Sequence, residues 1–598
     1  MTKEELIEKL NKYEWKDIEF KKAQRGAPED AYKTVSAFAN TAGGHLVFGI
    51  KDTDGRLEIV GVIDVDKVQN DFLSCLRAGD KLNRIITVDE DAIEHEGKVL
   101  LVFYIPESPR REKPIFLRGD IRQSYIRRGG GDEQCTQAEI QRFIRDADLS
   151  AYDGDVLADI DAEEFFDPDT MAWYRRLFQE REENRDAELS DVEFLNEWGF
   201  VVEANGTLVP TRAAVLLFGK GRYVRQTLPR GVVDYQRIDV PFDEWDPVKR
   251  WQDRVVIEEN ILTAWQILVE KYLRLADRPF SIDSSTLRRQ DDPPDYISFR
   301  EATINLLIHQ DYGDHTRTPV IQIFADRTVF WNPGDAVATV DELLDPSAKE
   351  VRNPAIVSAF RRIGLSDQAG TGVRSIVSNW RNLGYIPPLI ENDKADKTFQ
   401  LGLLKEILLT EDQLLLQSQL GVHLSDQEAA LFAFACRTDS LDLTDAKSLI
   451  GGGNRGAQEA LNRLVVQNLL QVVEQDVLWE VAEHLKQSVQ ATDQASDQAA
   501  DSDRSLVTPL LTKLSDQQKR IIELCEIPRK QAQLMDIIGV THRTFFRRKH
   551  LDPLVRAKLI RMTHPEEPNH PDQAYVVTET AVNLLSAWKS QKKAPEKE

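Results

Sequence analysis

The sequence predicts a multidomain chain of α/β and α+β domains that closes in two winged-helix units. Three observations carry that reading. At 598 residues the chain is several domains long, since single domains usually run to about 100–200 residues. Its first 147 residues alternate short apolar runs with helical patterns, the mark of an α/β layer domain. The stretch 488–503 is acidic and almost without large apolar side chains, so it cannot bury enough surface to offset ordering and reads as a flexible linker before a separate tail.

The boundaries follow from these shifts: an α/β domain over 1–147, an acidic and helical connector over 148–205, an α/β sandwich over 206–405, a winged helix over 406–486, the linker over 487–513 and a second winged helix over 514–598. With 41% hydrophobic and 29% charged residues the chain is an ordinary globular mixture that can bury cores. No apolar run approaches the roughly 20 residues of a membrane span, and the first residues lack the apolar core of a signal peptide. Cys75, Cys135, Cys436 and Cys525 are far apart and share no metal spacing, as in a reduced, cytoplasmic chain.

The formal charge of −24 argues against coating nucleic acid indiscriminately. Two local stretches run the other way. Arg110, Arg111, Lys113, Arg118, Arg122, Arg127 and Arg128 face only Glu112 and Asp120, and Arg543, Arg547, Arg548, Lys549, Arg556, Lys558 and Arg561 face only Asp552. A local surplus in an acidic chain suggests placed phosphate contacts, with Arg127 and Arg128 the candidates in the first stretch.

In the first domain a helix is expected over 3–12, a strand over 18–21 and a helix over 29–41 after Pro28. Gly43 and Gly44 turn the chain into a strand over 45–50 that ends at Lys51 and Asp52. A hairpin signal at Thr53-Asp54-Gly55 leads to a strand over 57–62, a helix over 66–77 and a buried strand over 99–105. Asn40, Gly43 and Gly44 are read as serving the turn, and His45 as a packed or solvent-facing side chain. The residues Glu19-Phe20-Lys21, the run 36–44, the run 46–52 and Tyr125 to Gly130 together closely resemble the Schlafen AlbA-type domain. That resemblance implies two glutamates five residues apart and an aspartate after the Gly-Gly strand, which here are Glu14, Glu19 and Asp52. Converging carboxylates bind Mg²⁺ or Mn²⁺ through oxygen, and such a cation can activate water for displacement at phosphorus. Lys21 lies on the same strand face as Glu19 and can neutralise a phosphate. A five-residue offset puts strand residues on opposite faces, so Glu14 must come from the turn before the strand. The alternative is a domain that binds RNA or DNA without cutting it.

In the connector the run 171–185 turns helical, and the runs 194–200 and 206–219 resemble the bridge of RecG-like bacterial proteins. The run 213–218 is a packed helix or strand, and 257–275 a long amphipathic helix with Tyr272 and Leu275 in the core. A helix over 300–311 has Ile304, Leu307 and Ile308 on a buried face, and Glu301, Asn305 and His309 stack beside it at four-residue spacing. Strands over 320–325 and 328–331 end in Asn332-Pro333-Gly334-Asp335. Arg352-Asn353-Pro354 follows, and then Gly370-Thr371-Gly372 heads a further helix, where glycines let backbone N–H groups approach an anion. This set resembles the GHKL ATP-binding fold in the divergent branch of RecG-like bacterial proteins. The resemblance implies ATP with Mg²⁺, Glu301 orienting water, Asn305 holding the metal, His309 on the same stripe, and base and phosphate contacts at Asn332, Gly334, Gly370, Thr371 and Gly372. The family's Asp-x-Gly-x-Gly box is degraded here to Asn-Pro-Gly-Asp, so the expectation is nucleotide binding rather than efficient hydrolysis. No Gly-x4-Gly-Lys-Ser/Thr loop occurs, and helicase translocation is rejected.

In the last third, helices over 443–450 and 455–464 with a wing over 472–481 form the first winged-helix candidate, poor in basic residues and suited to protein contact or packing. In the second, a helix over 531–538 precedes a basic helix over 542–554 carrying Arg543, Arg547, Arg548 and Lys549, which suits a DNA major groove or, alternatively, an oligomerisation surface. Three functions remain open: a nucleotide-gated, metal-dependent nuclease, with phage defence a setting by family analogy; an ATP-responsive DNA-binding regulator without chemistry; and a scaffold with a decayed ATP pocket. GHKL domains commonly pair, so a homo-oligomer is expected.

Overall fold

The computed structural model describes residues 17–486 apart from 54–55, 80, 148–151, 183–185, 246–250, 276–280, 283–288, 291–293, 346–350, 367–371, 421–423, 439, 452 and 475–477, and pieces of 520–581. It divides into two compact units, one of 1–148, 243–250 and 500–598, the other of 149–242 and 251–499.

Between residues 17 and 147 the described strands are β1 (Ile18–Lys21), β2 (Gly44–Phe48), β3 (Ile50–Thr53), β4 (Arg56–Ile59), β5 (Asp89–His95), β6 (Lys98–Ile105), β7 (Tyr125–Arg128) and β8 (Gly131–Gln134). Four form a sheet in the order β1-β2-β6-β5, with β1 parallel to β2 and the other pairs antiparallel. Helices α1 (Ala31–Asn40), α2 (Val65–Ala78) and α3 (Gln137–Ala147) accompany it. Tyr32, Val35 and Phe38 of α1 and Phe72 of α2 pack with Phe48 and Phe103 of the sheet. The ring of Phe38 occupies the space a Cβ at Gly44 would need, so that glycine is there for packing.

The expected strand over 45–50 is two strands. Gly49, at φ +100°, breaks it, and a Cβ there would lie 2.8 Å from Leu100 Cδ2. Asp52 therefore sits in the β3–β4 hairpin, opposite Leu57, and not on the central sheet. Strand β5 was not anticipated, because Asp89 to His95 is a charged edge strand that buries only Ile93. Asn40 also differs from expectation. It ends α1 and clamps two distant segments: its Oδ1 accepts from Ile115 N (2.7 Å) and its Nδ2 donates to the carbonyls of Ile115 (2.8 Å) and Tyr125 (2.9 Å).

In the second unit six strands form one sheet: β9 (Val233–Arg237), β10 (Asp253–Ile257), β11 (Val320–Ile323), β12 (Arg327–Pro333), β13 (Leu389–Asp393) and β14 (Thr398–Leu404), in the order β10-β9-β11-β12-β14-β13. Only β9 and β11 pair in parallel. The helices that matter to the site are α4 (Pro168–Arg181), α5 (Arg212–Phe218), α6 (Ile261–Leu275), α7 (Tyr296–His309), α8 (Val340–Leu344), α9 (Pro354–Arg362) and α10 (Gly372–Asn382). Tyr235, Ile321, Phe330 and Leu401 of the sheet share a core with Leu268 of α6 and Phe299, Ile304 and Leu307 of α7. Tyr272 stacks on Phe299 at 4.0 Å, as its expected core role requires.

The stretch read as a solvated connector belongs to this same core. Ile160, Phe165, Met171, Tyr174 and Phe178 are buried in it. Acids dominate the composition there, but the apolar residues between them fall on one side. One acid is buried as well. Asp153 is 0% exposed, and its Oδ2 accepts from Ile356 N at 3.0 Å, capping the first turn of α9. Burial pushes its carboxyl up to about 6 against the opposing pull of the helix N–H groups. The folded-state value lies above the unfolded one, so ionisation destabilises the fold, and stability falls as pH rises from about 4 through 6. Asp153→Asn is expected to remove that penalty, of order 3 kcal/mol at pH 7; urea melts at pH 4 and pH 7 check it, the variant showing a smaller loss between them.

Residues 426–482 add α11 (Asp426–Thr438), α12 (Leu443–Ile450) and α13 (Asn454–Val466) with β15 (Ser440–Asp442), β16 (Leu470–Glu474) and β17 (Leu478–Val481), in sheet order β15-β17-β16. Leu431, Phe432, Leu441, Leu461, Leu464 and Trp479 form a core separate from that of the six-stranded sheet. In the tail a helix spans Gln531–Ile538, and Leu534, Leu551, Leu554, Leu559 and Ile560 pack together.

Candidate functional site

Helix α7 is apolar on most of its circumference: Phe299, Ala302, Ile304, Leu306, Leu307 and Ile308 are all buried. Glu301, Asn305 and His309 take the remaining, half-buried side. Glu301 Oε1 accepts from Arg300 Nη2 at 2.6 Å. Asn305 faces the first residue of α10. A Cβ on Gly372 would lie 2.9 Å from Asn305 Nδ2 and 3.1 Å from its Oδ1, so Gly372 is needed for close approach. The carboxamide of Asn305 thus stands at a helix start whose first N–H groups have no intrahelical partners. Burial, and then the charge of Arg352, push the His309 imidazole down to about 4. It is neutral at physiological pH.

At the end of β12, Asn332 turns into its own loop, its Nδ2 donating to Pro333 O (3.1 Å) and Gly334 O (3.3 Å). Gly334 adopts φ +105°, and a Cβ there would lie 2.9 Å from Asp311 N. Next to it, Asp335 is gripped from two sides, by Arg352 Nη2 (3.1 Å) and Lys397 Nζ (3.3 Å). Asn392 pins the following residues, accepting from Ala336 N (2.8 Å) and donating to Ala336 O and Ala338 O. Asn353 Nδ2 donates to Ile308 O and Gln310 O, both at 2.9 Å, and so ties the end of α7 to α9. The sequence reading passed over Asp335, Lys397 and Asn392; a charged residue beside a Pro-Gly turn was the available signal. Gly370 and Thr371 lie outside the described residues. What is present fits a nucleotide: half-buried oxygens at Glu301 and Asn305, beside a helix start where a glycine admits the Asn305 carboxamide.

The first unit has a different centre. Arg127 is buried, its side chain 3% exposed. Its Nη1 donates to Glu19 Oε2 (2.9 Å) and Asp132 Oδ1 (2.8 Å), and its Nη2 to Ile18 O (2.8 Å). The guanidinium also lies over the Phe38 ring at 5.1 Å. Lys21 Nζ donates to Glu19 Oε1 (2.9 Å) and pairs with Asp30 (2.9 Å). Burial opposes the charge on Lys21, but Glu19 and Asp30 outweigh it and raise its pKa. Both oxygens of Glu19 are thus held by cationic groups. A divalent cation at Glu19 would have to displace them, so the described donor set does not fit a metal. Glu14 lies outside the described residues, and of Asp52 only the backbone is described.

The basic stretch 110–128 looks different in space. Arg110 pairs with Asp146, Lys113 with Glu107, Arg118 with Glu29, Arg122 with Asp120, and Arg128 with Glu133 and Glu139. Its surplus along the chain is largely offset by acids from other segments. A phosphate can reach Arg128, about one third exposed, more readily than Arg127. Arg543, Arg547, Arg548 and Lys549 lie outside the described residues. Among the described residues no helix is long and apolar enough to cross a membrane.

Comparison with known proteins agrees with this division. Residues 14–136 match the family described as "Schlafen, AlbA_2" and residues 317–403 that described as "Putative ATP-dependent DNA helicase recG C-terminal". Residues 141–234 match a domain of unknown function, and residues 516–578 the C-terminal domain of Fic-like proteins, "Filamentation induced by cAMP". No curated protein matches. Among solved structures, the DIP2311 protein from Corynebacterium diphtheriae is 19% identical, with 94% of this chain and 95% of that one covered and a TM-score of 0.36. The N-terminal domain of a "Putative ATP-dependent DNA Helicase RecG-related Protein" from Nitrosomonas europaea is 31% identical over 23% of this chain and 95% of that one, with a TM-score of 0.18. On the two family matches, the chain carries a Schlafen AlbA_2 domain at residues 14–136 and, at residues 317–403, a domain of the family named for the recG C-terminal region.

Proposed function

We propose that this protein binds ATP with Mg²⁺ between α7 and the start of α10, and that nucleotide occupancy adjusts how it holds nucleic acid. The observation that carries the ATP reading is the close approach of the Asn305 carboxamide to Gly372 at the start of α10, which a side chain at 372 would obstruct. In this reading Asn305 supplies an oxygen toward the metal, Glu301 orients water beside it, and the N–H groups at the start of α10 donate to phosphate oxygen. The bound ion would neutralise phosphate charge there. The Schlafen-type domain is the nucleic-acid contact, with Arg128 and the basic tail residues Arg543, Arg547, Arg548 and Lys549 as phosphate partners.

Regulated binding is favoured over cleavage because Glu19 serves Arg127 and Lys21. The test measures anisotropy of labelled RNA and DNA on the full chain, with and without ATP·Mg²⁺, alongside gels for cleavage in Mn²⁺. The expected result is an affinity that changes by about fivefold or more with ATP and intact nucleic acid. Mn²⁺-dependent cleavage by the wild type, lost in Glu19→Ala and Asp52→Ala with binding retained, would establish the nuclease instead.

A further inference from the structure

The module formed by residues 426–482 meets the domain of the six-stranded sheet through a polar contact beside an apolar one, in which Ile386 packs against the module's core. Lys447 of α12, its side chain 2% exposed, reaches Asp341 at 2.7 Å and Asp345 at 3.1 Å, in and just after α8. Thr444 Oγ1 donates to Asp341 Oδ1 at 3.4 Å. From α10, Arg381 Nη1 donates to Ser448 O at 3.4 Å, and its guanidinium lies against Gly451, where a Cβ would collide with it. Gly451 ends α12 in the left-handed conformation at φ +71°, so Arg381 places a positive charge at a helix C-terminus.

The partners of this contact are not arbitrary. Helix α8 follows the Gly334 turn by a few residues that Asn392 and Lys394 fasten to β13. Helix α10 begins at Gly372, opposite Asn305. Both elements that touch α12 therefore start at the candidate nucleotide site. Lys447 is buried whereas Asp341 and Asp345 are 41% and 43% exposed, so parting them leaves the lysine as the desolvated charge.

We propose that Lys447 and Arg381 couple the nucleotide site to the 426–482 module, so that ATP changes how firmly α12 is docked. The proposal rests on the ATP reading above. Hydrogen exchange of the full chain with and without ATP·Mg²⁺ tests both separately. In the wild type, exchange is expected to change by about tenfold in peptides covering 296–309 and also in those covering 443–450. In Lys447→Met the response of 296–309 stays and that of 443–450 is lost. Should Lys447→Met fail to fold, Arg381→Ala, which leaves the Lys447 ion pairs in place, is expected to weaken the 443–450 response in the same way. A wild type that responds only at 296–309 overturns the coupling, as does a 443–450 response that survives in both variants. No response at 296–309 overturns the ATP reading, and the coupling with it.

Discussion

Gly372→Val is expected to lower ATP affinity by about 100-fold or more, a loss of roughly 2.7 kcal/mol or more. The first added carbon falls 2.9 Å from Asn305 Nδ2, so the two side chains must compete for the space in which phosphate would lie. Asn305→Ala is expected to weaken binding comparably by the opposite route, removing the oxygen donor and leaving the space. Wild-type protein at ATP concentrations about 100 times the dissociation constant should gain roughly 2.7 kcal/mol of stability by mass action. Either variant should gain no more than about 0.4 kcal/mol at that same ATP concentration. A melting-temperature series against ATP·Mg²⁺ reads both. Overpacking and cavity formation both destabilise a fold, so the diagnostic result is the loss of ATP-dependent stabilisation in variants that remain folded without ATP.

Arg127→Met is expected to destabilise the first unit by about 3–5 kcal/mol, the range for breaking a buried ion pair from one side. Glu19 and Asp132 each accept from Arg127 Nη1, and β1 loses its tie through Ile18 O. Arg127→Lys should rescue little, because one ammonium cannot reproduce the planar fork that serves two carboxylates and a carbonyl. Glu19→Gln keeps the shape and an acceptor oxygen and should cost less. Denaturant-dependent hydrogen exchange in α1, whose Phe38 ring lies under the guanidinium, measures the order of these effects. Equal stability for Arg127→Met and wild type would remove the structural role given to Glu19.

Elements with a strong period were legible in the sequence. The strand Ile18–Lys21 and the helix at 29–41 appear close to where they were expected, as do the helix after the Gly-Thr-Gly run and the hairpin ending at Pro333. Where the reading failed, the deciding fact was a contact distant along the chain. Asn40 reads as a turn residue from its neighbours, and only Ile115 and Tyr125, brought in by folding, reveal the clamp. The basic run 110–128 reads as a phosphate surface until Asp146, Glu107, Glu29 and Glu139 arrive from elsewhere. The connector's acids masked Phe165 and Tyr174, because composition averages over a segment while burial acts on single faces. In the site, the spacing of Glu301, Asn305 and His309 located one wall. The opposing grip of Arg352 and Lys397 on Asp335 joins residues 62 positions apart or fewer and leaves no local trace.

The central claim is that α7 and the start of α10 hold a nucleotide, and isothermal titration of the full-length protein with ATP in the presence of Mg²⁺ addresses it most directly. One ATP bound per chain, weakened when Mg²⁺ is chelated and weakened by about 100-fold or more in Gly372→Val, is the result this account predicts. A folded wild-type protein that takes up no ATP at millimolar concentration, or binds it equally well with valine at position 372, would contradict it.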